Sequence, residues 1–116
     1  MLIRCWGARG SIPVSGKSFD RFGGDSPCME IRDDEGTCLI IDCGTGMRRL
    51  GARLLDEGLE EYVLLMTHFH WDHVIGFPFF KPLYKPSTRI TLYGWPNVQG
   101  NVQEKLFHVM APPHFP

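Results

Sequence analysis

The segment 67–73, which reads Thr-His-Phe-His-Trp-Asp-His, constrains this chain more than any other part of its sequence. It follows a continuous apolar run at 62–66, which is too short for a helix and predicts a strand covered on both faces inside a sheet. Three imidazoles and a carboxylate crowded at a strand end have few ways to be satisfied without a metal ion. We therefore expect a metal site at this end of the sheet.

The spacing of the polar side chains in this segment predicts two metal ions. In an extended chain, His68 and His70 face the same side, while the aromatic residues that alternate with them pack inward. Asp72 and His73 are adjacent and cannot easily point at the same ion, so we expect them to serve a second ion. The alternatives are a purely structural histidine network and a closed structural zinc site, although closed sites normally use cysteine-rich ligand sets.

The rest of the sequence predicts a mixed α/β fold with helices layered against a sheet. Apolar residues at helical spacing between Met47 and Leu55 indicate a helix that Gly58 is placed to end. The arginines on its other faces, Arg48, Arg49 and Arg53, are interpreted as a solvated face rather than an anion site. A hairpin turn is predicted at 33–36, strands are predicted at 2–6, 29–32, 37–41, 62–66 and 89–93, further helices at 74–80 and 98–110, and a long loop at 7–24.

Length and charge limit the classes of function. A chain of 116 residues has room for a single domain, 1–116, or for part of one. Twelve basic and thirteen acidic residues give a net charge of −1, so no broad field attracts nucleic acid or membrane, and local groups must hold an anionic substrate. No apolar run approaches the roughly 18 residues of a membrane span, and the first ten residues do not resemble a signal peptide.

Several polar or reactive residues outside the segment 67–73 are assigned structural roles. The four cysteines form no C-x-x-C pair, which favours a reduced, cytoplasmic setting. Cys28, Cys38 and Cys43 lie in or beside apolar runs and are predicted to pack as small buried hydrophobes. His108 and His114 are predicted to be surface or packing residues rather than ligands.

The sequence resembles the metallo-β-lactamase superfamily, whose H-x-H-x-D-H motif is met without gaps by His68, His70, Asp72 and His73. The stretches 6–13, 22–28 and 40–46 look like the branch that contains cyclic-nucleotide-phosphodiesterase-like and tRNA-processing-nuclease-like enzymes. At position 25 this branch more often has asparagine, whereas this chain has aspartate. The resemblance extends over essentially the whole chain.

The resemblance implies the N-terminal half of a four-layer αββα sandwich with a dinuclear site. It implies His68 and His70 on the first ion and Asp72 and His73 on the second, with zinc expected and manganese or iron as alternatives. Asp72 would also orient or deprotonate the attacking water. Asp42 resembles the family's aspartate near the site, which holds a ligand histidine, and the alternative is a carboxylate that caps the following helix.

The second half of the family's domain, with its further ligands, is not in this sequence, and complete αββα domains run to roughly 200 residues or more. We therefore interpret the chain as a fragment with about two protein ligands for each ion, and we doubt its activity alone. The function expected is that of a metal-dependent, phosphodiesterase-like hydrolase that uses zinc-bound hydroxide on a small-molecule or nucleotide phosphodiester. The alternatives are hydrolysis of a thioester, lactone or β-lactam, and a non-catalytic half-domain that binds a partner.

Two further expectations concern surfaces of the chain. Arg9 and Lys17 in the long loop could meet a phosphate, although isolated loop charges are more often simply exposed to solvent. A half-sandwich also exposes an apolar face where its other half would dock. This exposure predicts self-association, such as a homo-oligomer.

Overall fold

The computed structural model describes residues 1–95 and 101–116, which form a mixed five-stranded sheet with helices on one face. The predicted α/β fold class is therefore confirmed, with a sheet and one helical layer present in the described residues. The strands are β1 (Leu2–Gly7), β2 (Cys28–Arg32), β3 (Cys38–Ile41), β4 (Glu61–Met66) and β5 (Arg89–Gly94), and the helices are α1 (Gly46–Asp56), α2 (Trp71–Val74) and α3 (Val102–Val109).

The strands lie in the sheet in the same order as in the chain. β1, β2 and β3 pair antiparallel, whereas β3, β4 and β5 pair parallel. The predicted hairpin between β2 and β3 is confirmed, and in its turn Asp33 Oδ1 accepts hydrogen bonds from the amides of Glu35 and Thr37 at 3.0 and 2.8 Å. Because parallel strands end at the same edge of a sheet, the residues that follow β3 and β4 come together there.

The core lies between the sheet and the helical layer. The apolar face of α1 is fully buried against sheet residues such as Ile40 and Leu64. The predicted end of α1 is confirmed, since Gly58 adopts a φ of +70° and its amide donates to the carbonyl of Leu55 at 3.0 Å. No helix in the described residues is long and apolar enough to cross a membrane.

The three cysteines predicted to pack in the core are buried there. Burial raises the pKa of the Cys38 thiol to about 11, and it also raises the pKa values of Cys28 and Cys43. Thiols with raised pKa values are poor nucleophiles, because the thiolate is the reactive form. Cys5 is exposed in β1 and belongs to the opposite face of the sheet. The buried cysteines thus serve packing rather than chemistry.

The prediction that β4 is covered on both faces is wrong. Tyr62, Leu64 and Met66 are buried under the helices, but Val63 is half-buried and Leu65 is 37% exposed on the other side. No second layer lies over that side within residues 1–95 and 101–116, so the sheet has an apolar outer face. By strand register this outer face contains Ile3, Ile31, Leu39, Ile41, Val63, Leu65 and Tyr93.

The structure contains one of the two helices predicted after the histidine motif. The helix predicted at 74–80 is wrong, because Pro78 and Pro82 lack the amide hydrogen that would continue it. Short 3-10 turns at Phe77–Phe79 and Lys81–Tyr84 replace it. The helix predicted at 98–110 is confirmed over Val102–Val109, with Asn101 and Glu104 forming a capping box at its start. Residues 98–100 lie outside the described part of the chain.

A buried carboxylate joins β1 to β2. The side chain of Glu30 is fully buried and accepts hydrogen bonds from Arg4 Nη1 at 3.1 Å, Trp6 Nε1 at 2.8 Å and Arg32 Nε at 2.7 Å. Arg32 also pairs with Glu57 just beyond the end of α1 at 2.5 Å. The sheet and α1 are therefore held together by a charged network as well as by apolar packing.

Candidate metal centre

Two chain segments meet at the edge of the sheet where β3 and β4 end. The amide of Asp42 donates to the carbonyl of Leu65 at 3.0 Å, and the amide of Cys43 donates to the carbonyl of His73 at 2.8 Å. The amide of Gly76 donates to the carbonyl of Cys43 at 2.7 Å. A Cβ atom on Gly76 would lie 2.0 Å from the carbonyl oxygen of Gly44, so only glycine allows this approach. The segment 67–73, called the histidine segment below, is thus fixed against the end of β3.

Asp42 is a buried carboxylate at this edge, and it holds the segments on either side together by hydrogen bonds. Its Oδ1 accepts from the amide of Thr67 at 2.8 Å, and its Oδ2 contacts His73 Nδ1, also at 2.8 Å. The interpretation of Asp42 as the cap of α1 is wrong, because Thr45 occupies the N-cap position and α1 has no side-chain cap. Asp42 adopts a left-handed φ of +62°, which aspartate tolerates better than most residues.

These hydrogen bonds determine which ring nitrogens of two histidines remain free. An ionised carboxylate can only accept, so Asp42 requires a proton on His73 Nδ1, which leaves His73 Nε2 with its lone pair. Thr67 Oγ1 gives its single proton to Asp42 Oδ2 at 2.8 Å, and it therefore accepts from His68 Nδ1 at 3.0 Å. His68 Nε2 is then also free. Both rings offer the nitrogen that a metal ion requires.

The structure brings the four predicted ligands together in pairs. The ring of His68 lies 4.5 Å from that of His70 and 4.0 Å from that of His73, measured between centroids. Asp72 Oδ2 lies 3.5 Å from His73 Nε2. Within the described residues, however, no three His, Cys, Asp or Glu side chains converge to form a complete metal site.

Ser11 is a site residue that sequence reasoning missed. It lies in the long loop with a φ of +69°, and its amide donates to Asp72 Oδ2 at 2.8 Å. Burial of Asp72 acts to raise its pKa, but the Ser11 amide, the backbone amide of Asp72 itself and the nearby rings of His73 and His68 outweigh burial and lower that pKa. The Asp72 carboxylate is therefore held ionised and in place.

The loop that carries Ser11 is anchored at the start of α1. Asp25 Oδ1 accepts from Thr45 Oγ1 at 2.9 Å, and Asp25 Oδ2 pairs with Arg49 Nε at 3.0 Å. An aspartate is suited to position 25 here because Arg49 balances its charge. Arg48 and Arg49 are exposed as predicted, and Arg49 in addition pairs with Asp25.

The other charged or titratable residues considered from the sequence are exposed side chains outside the histidine segment. Arg9 and Lys17 are exposed, and the Arg9 guanidinium lies over the ring of Phe19 at 5.5 Å. No hydrogen bond or ion pair within the described ranges joins either residue to the histidine segment, as expected for plain solvent exposure. His108 and His114 are exposed as predicted, with their rings 5.3 Å apart.

Two cavities differ in their relation to the histidine segment. A groove of about 460 Å³ lies between Phe69 and Trp71 on one side and Lys105 and His108 on the other. A larger cavity of about 670 Å³ lies near the β2–β3 hairpin and the starts of β4 and β5, where Glu60 pairs with Lys85. Because parallel strands β3, β4 and β5 start at the opposite edge, the larger cavity lies away from the candidate centre, whereas the smaller groove is lined by Phe69 and Trp71 of the histidine segment.

The donor set of the candidate centre fits zinc. Three imidazoles and a carboxylate are ligands that zinc accepts, and the contact between Asp42 and His73 is the carboxylate–histidine arrangement that orients a metal ligand. The Nε2 atoms of His68 and His73 are free to coordinate, as derived above. The chemistry of His68, His70, Asp72 and His73 thus fits the ligands that the family resemblance implies.

Comparison with known proteins gives a family match and two relatives. The sequence profile of the metallo-beta-lactamase superfamily matches residues 21–109. A hydroxyacylglutathione hydrolase of Salmonella typhi is 34% identical over 60% of this chain and 26% of its own length. A ribonuclease Z of Methanopyrus kandleri is 32% identical over 66% of this chain and 24% of its own length. The chain thus spans about a quarter of the curated relatives it matches, and no solved structure matches it.

Proposed function

Because this chain belongs to the metallo-β-lactamase superfamily, we propose that it carries metal-binding residues of a metal-dependent hydrolase. The observation that supports this most directly is the contact of Asp42 Oδ2 with His73 Nδ1, which leaves His73 Nε2 free. His68 and His70 would hold one ion, and Asp72 and His73 would hold the other. Zinc is the proposed metal, and manganese or iron are alternatives that the same ligands accept.

Each residue of the centre has a defined part in the proposed hydrolysis. Bound zinc would lower the pKa of a coordinated water and neutralise charge on the substrate oxygen. Asp72, held at Oδ2 by the Ser11 amide and kept ionised, accepts a hydrogen bond from the attacking water and orients it. Asp42 and Thr67 keep the rings of His73 and His68 in the orientation and tautomer that coordination needs.

The proposed substrate is a phosphodiester. This proposal is supported by the similarity to a ribonuclease, an enzyme that acts on RNA, and by the loop sequence at 6–13 noted above. The similarity to hydroxyacylglutathione hydrolase favours the second candidate, a thioester. Turnover of a chromogenic phosphodiester and of a chromogenic thioester by the zinc-loaded protein separates the two, since only one of them should be hydrolysed at an appreciable rate.

Metal content tests the proposed ligands. Protein purified without chelators should contain about one or two zinc ions per chain by elemental analysis. The double variant His68→Ala, His70→Ala should lose at least the ion that these rings hold. The matched control is His108→Ala, His114→Ala, which removes two exposed imidazoles that are not proposed ligands and should keep the parent's zinc. A folded parent without metal, or equal zinc in both double variants, would contradict the proposed ligand set.

We also propose that the outer face of the sheet mediates self-association. Leu65 and Tyr93 are exposed side by side on this face next to further apolar residues, whereas Glu61 and Arg89 pair with each other at its end. Sedimentation velocity should show a dimer or larger species for the parent. The variant Leu65→Lys should shift this population towards monomer, because a charge on the face opposes burial. As a control, Phe107→Lys places the same charge on α3 and should leave the distribution unchanged. A monomeric parent would refute this proposal.

A further inference from the structure

The groove beside the candidate centre joins the histidine segment to α3. One wall is formed by Phe69 and Trp71, which alternate in sequence with the proposed ligands, and the other by α3 residues that include Lys105 and His108. Its volume of about 460 Å³ lies within the range of small-molecule sites. The groove is therefore next to the proposed ligands along the chain, although none of the four lines it.

Trp71 presents a flat aromatic surface to the groove. Its side chain is 56% exposed although it lies between two proposed ligands, His70 and Asp72. Phe69, by contrast, packs against the core. A large exposed indole is suited to stacking against a planar ring, because two flat rings placed face to face share a wide contact area.

The positive charge in the groove comes from Lys105. Its Nζ lies 5.2 Å from the centroid of the Phe69 ring, and it forms no ion pair with a carboxylate among the described residues. Glu104, which also lines the groove, is engaged in the capping box, where its Oε2 accepts from the amide of Asn101 at 3.2 Å. The groove therefore combines an aromatic surface with a cation that is available to an anionic ligand.

We propose that this groove binds the base of a nucleotide, with the base stacked on Trp71 and a phosphate near Lys105. The proposal rests on the proposed function for the phosphodiester at the centre, and it adds which part of the substrate is recognised. Stacking on aromatic side chains is largely indifferent to the identity of the base. The groove thus selects nucleotides over simple phosphodiesters without reading a particular sequence.

The test compares adenosine 5′-monophosphate with ribose 5-phosphate, which has the same phosphate and sugar but no base. Titration calorimetry on the parent should give at least about tenfold tighter binding of the nucleotide. Trp71→Ala should lose this preference, and Trp71→Phe should retain most of it. Phe107→Ala removes an equally exposed aromatic side chain that is not part of the groove, and it should behave as the parent. Circular dichroism verifies that each variant is folded.

Binding and hydrolysis are measured in different experiments, so either proposal can be refuted without the other. A preference for the nucleotide that depends on Trp71, found without phosphodiester turnover, would support the groove and contradict the proposed function. Turnover of bis(p-nitrophenyl) phosphate with no such preference would overturn the groove proposal and leave the hydrolase proposal standing. A preference that persists in Trp71→Ala would also overturn the groove proposal. Lys105→Ala should weaken binding of the nucleotide but not of adenosine, which carries no phosphate.

Discussion

Zinc affinity is expected to fall about 10- to 100-fold when Asp42 is replaced by alanine, because the ring of His73 loses the carboxylate that orients it. The same change should lower the free energy of unfolding by about 3 kcal/mol. It leaves the Thr67 amide and His73 Nδ1 without their acceptor in a partly buried position, and alanine tolerates the left-handed backbone at this residue less well. Zinc titration with a competing chelator and denaturant unfolding of the metal-free protein measure the two effects.

The variant Asp42→Asn separates these two effects. Asparagine also adopts the left-handed conformation readily and keeps one acceptor oxygen for the Thr67 amide, so its loss of stability should be smaller. Its amide nitrogen cannot accept from His73 Nδ1, so zinc affinity should still fall. If Asp42→Ala bound zinc as tightly as the parent, Asp42 would have no role in positioning His73.

Replacement of Glu30 by alanine is expected to lower the free energy of unfolding by about 3 kcal/mol. The carboxylate is fully buried, and its removal leaves Arg4 and Arg32 facing each other without the negative charge between them. Both arginine side chains retain some exposure, 32% and 19%, so water compensates part of the loss. Equilibrium unfolding in urea, with the slope compared between parent and variant, measures this change.

A matched control for Glu30 is Glu61→Ala. Glu61 lies in the same sheet and also pairs with an arginine, Arg89, but the two side chains are 75% and 80% exposed. Its removal should change the stability by less than about 1 kcal/mol. Equal losses from Glu30→Ala and Glu61→Ala would mean that the buried network contributes no more than a surface pair.

The parts of the fold that sequence alone predicted are those set by local patterns. The five strands and α1 are each encoded by a short apolar run or a helical repeat, and their bounds match within one residue or two. The apolar run at 62–66 could not show that Leu65 is exposed. A strand that is covered on both faces would have the same apolar residues at positions 63 and 65. Whether a second layer covers them depends on residues far from β4 in sequence, which the local pattern does not reveal.

The sequence alone points to the proposed ligands, but it does not reveal the groups that hold them in position. The clustered histidines stand out in the sequence, whereas Ser11 acts through a backbone amide that any residue except proline offers, from a loop 61 positions away. The hydroxyl of Thr67 matters because it bridges Asp42 and His68, and such a bridge is visible only in the folded arrangement. The groove against α3 is likewise a long-range feature that joins Trp71 to Lys105.

The strands have the same order in the sheet as in the chain, and this order affects how the protein can fold during its synthesis. Each strand pairs with the one translated just before it, so the sheet can be extended one strand at a time as the chain leaves the ribosome. Among the strands of residues 1–95 and 101–116, none has to insert between two that have already paired. The site edge at the ends of β3 and β4 can therefore form before β5 joins the sheet, and the histidine segment can already fold against Asp42 at that stage.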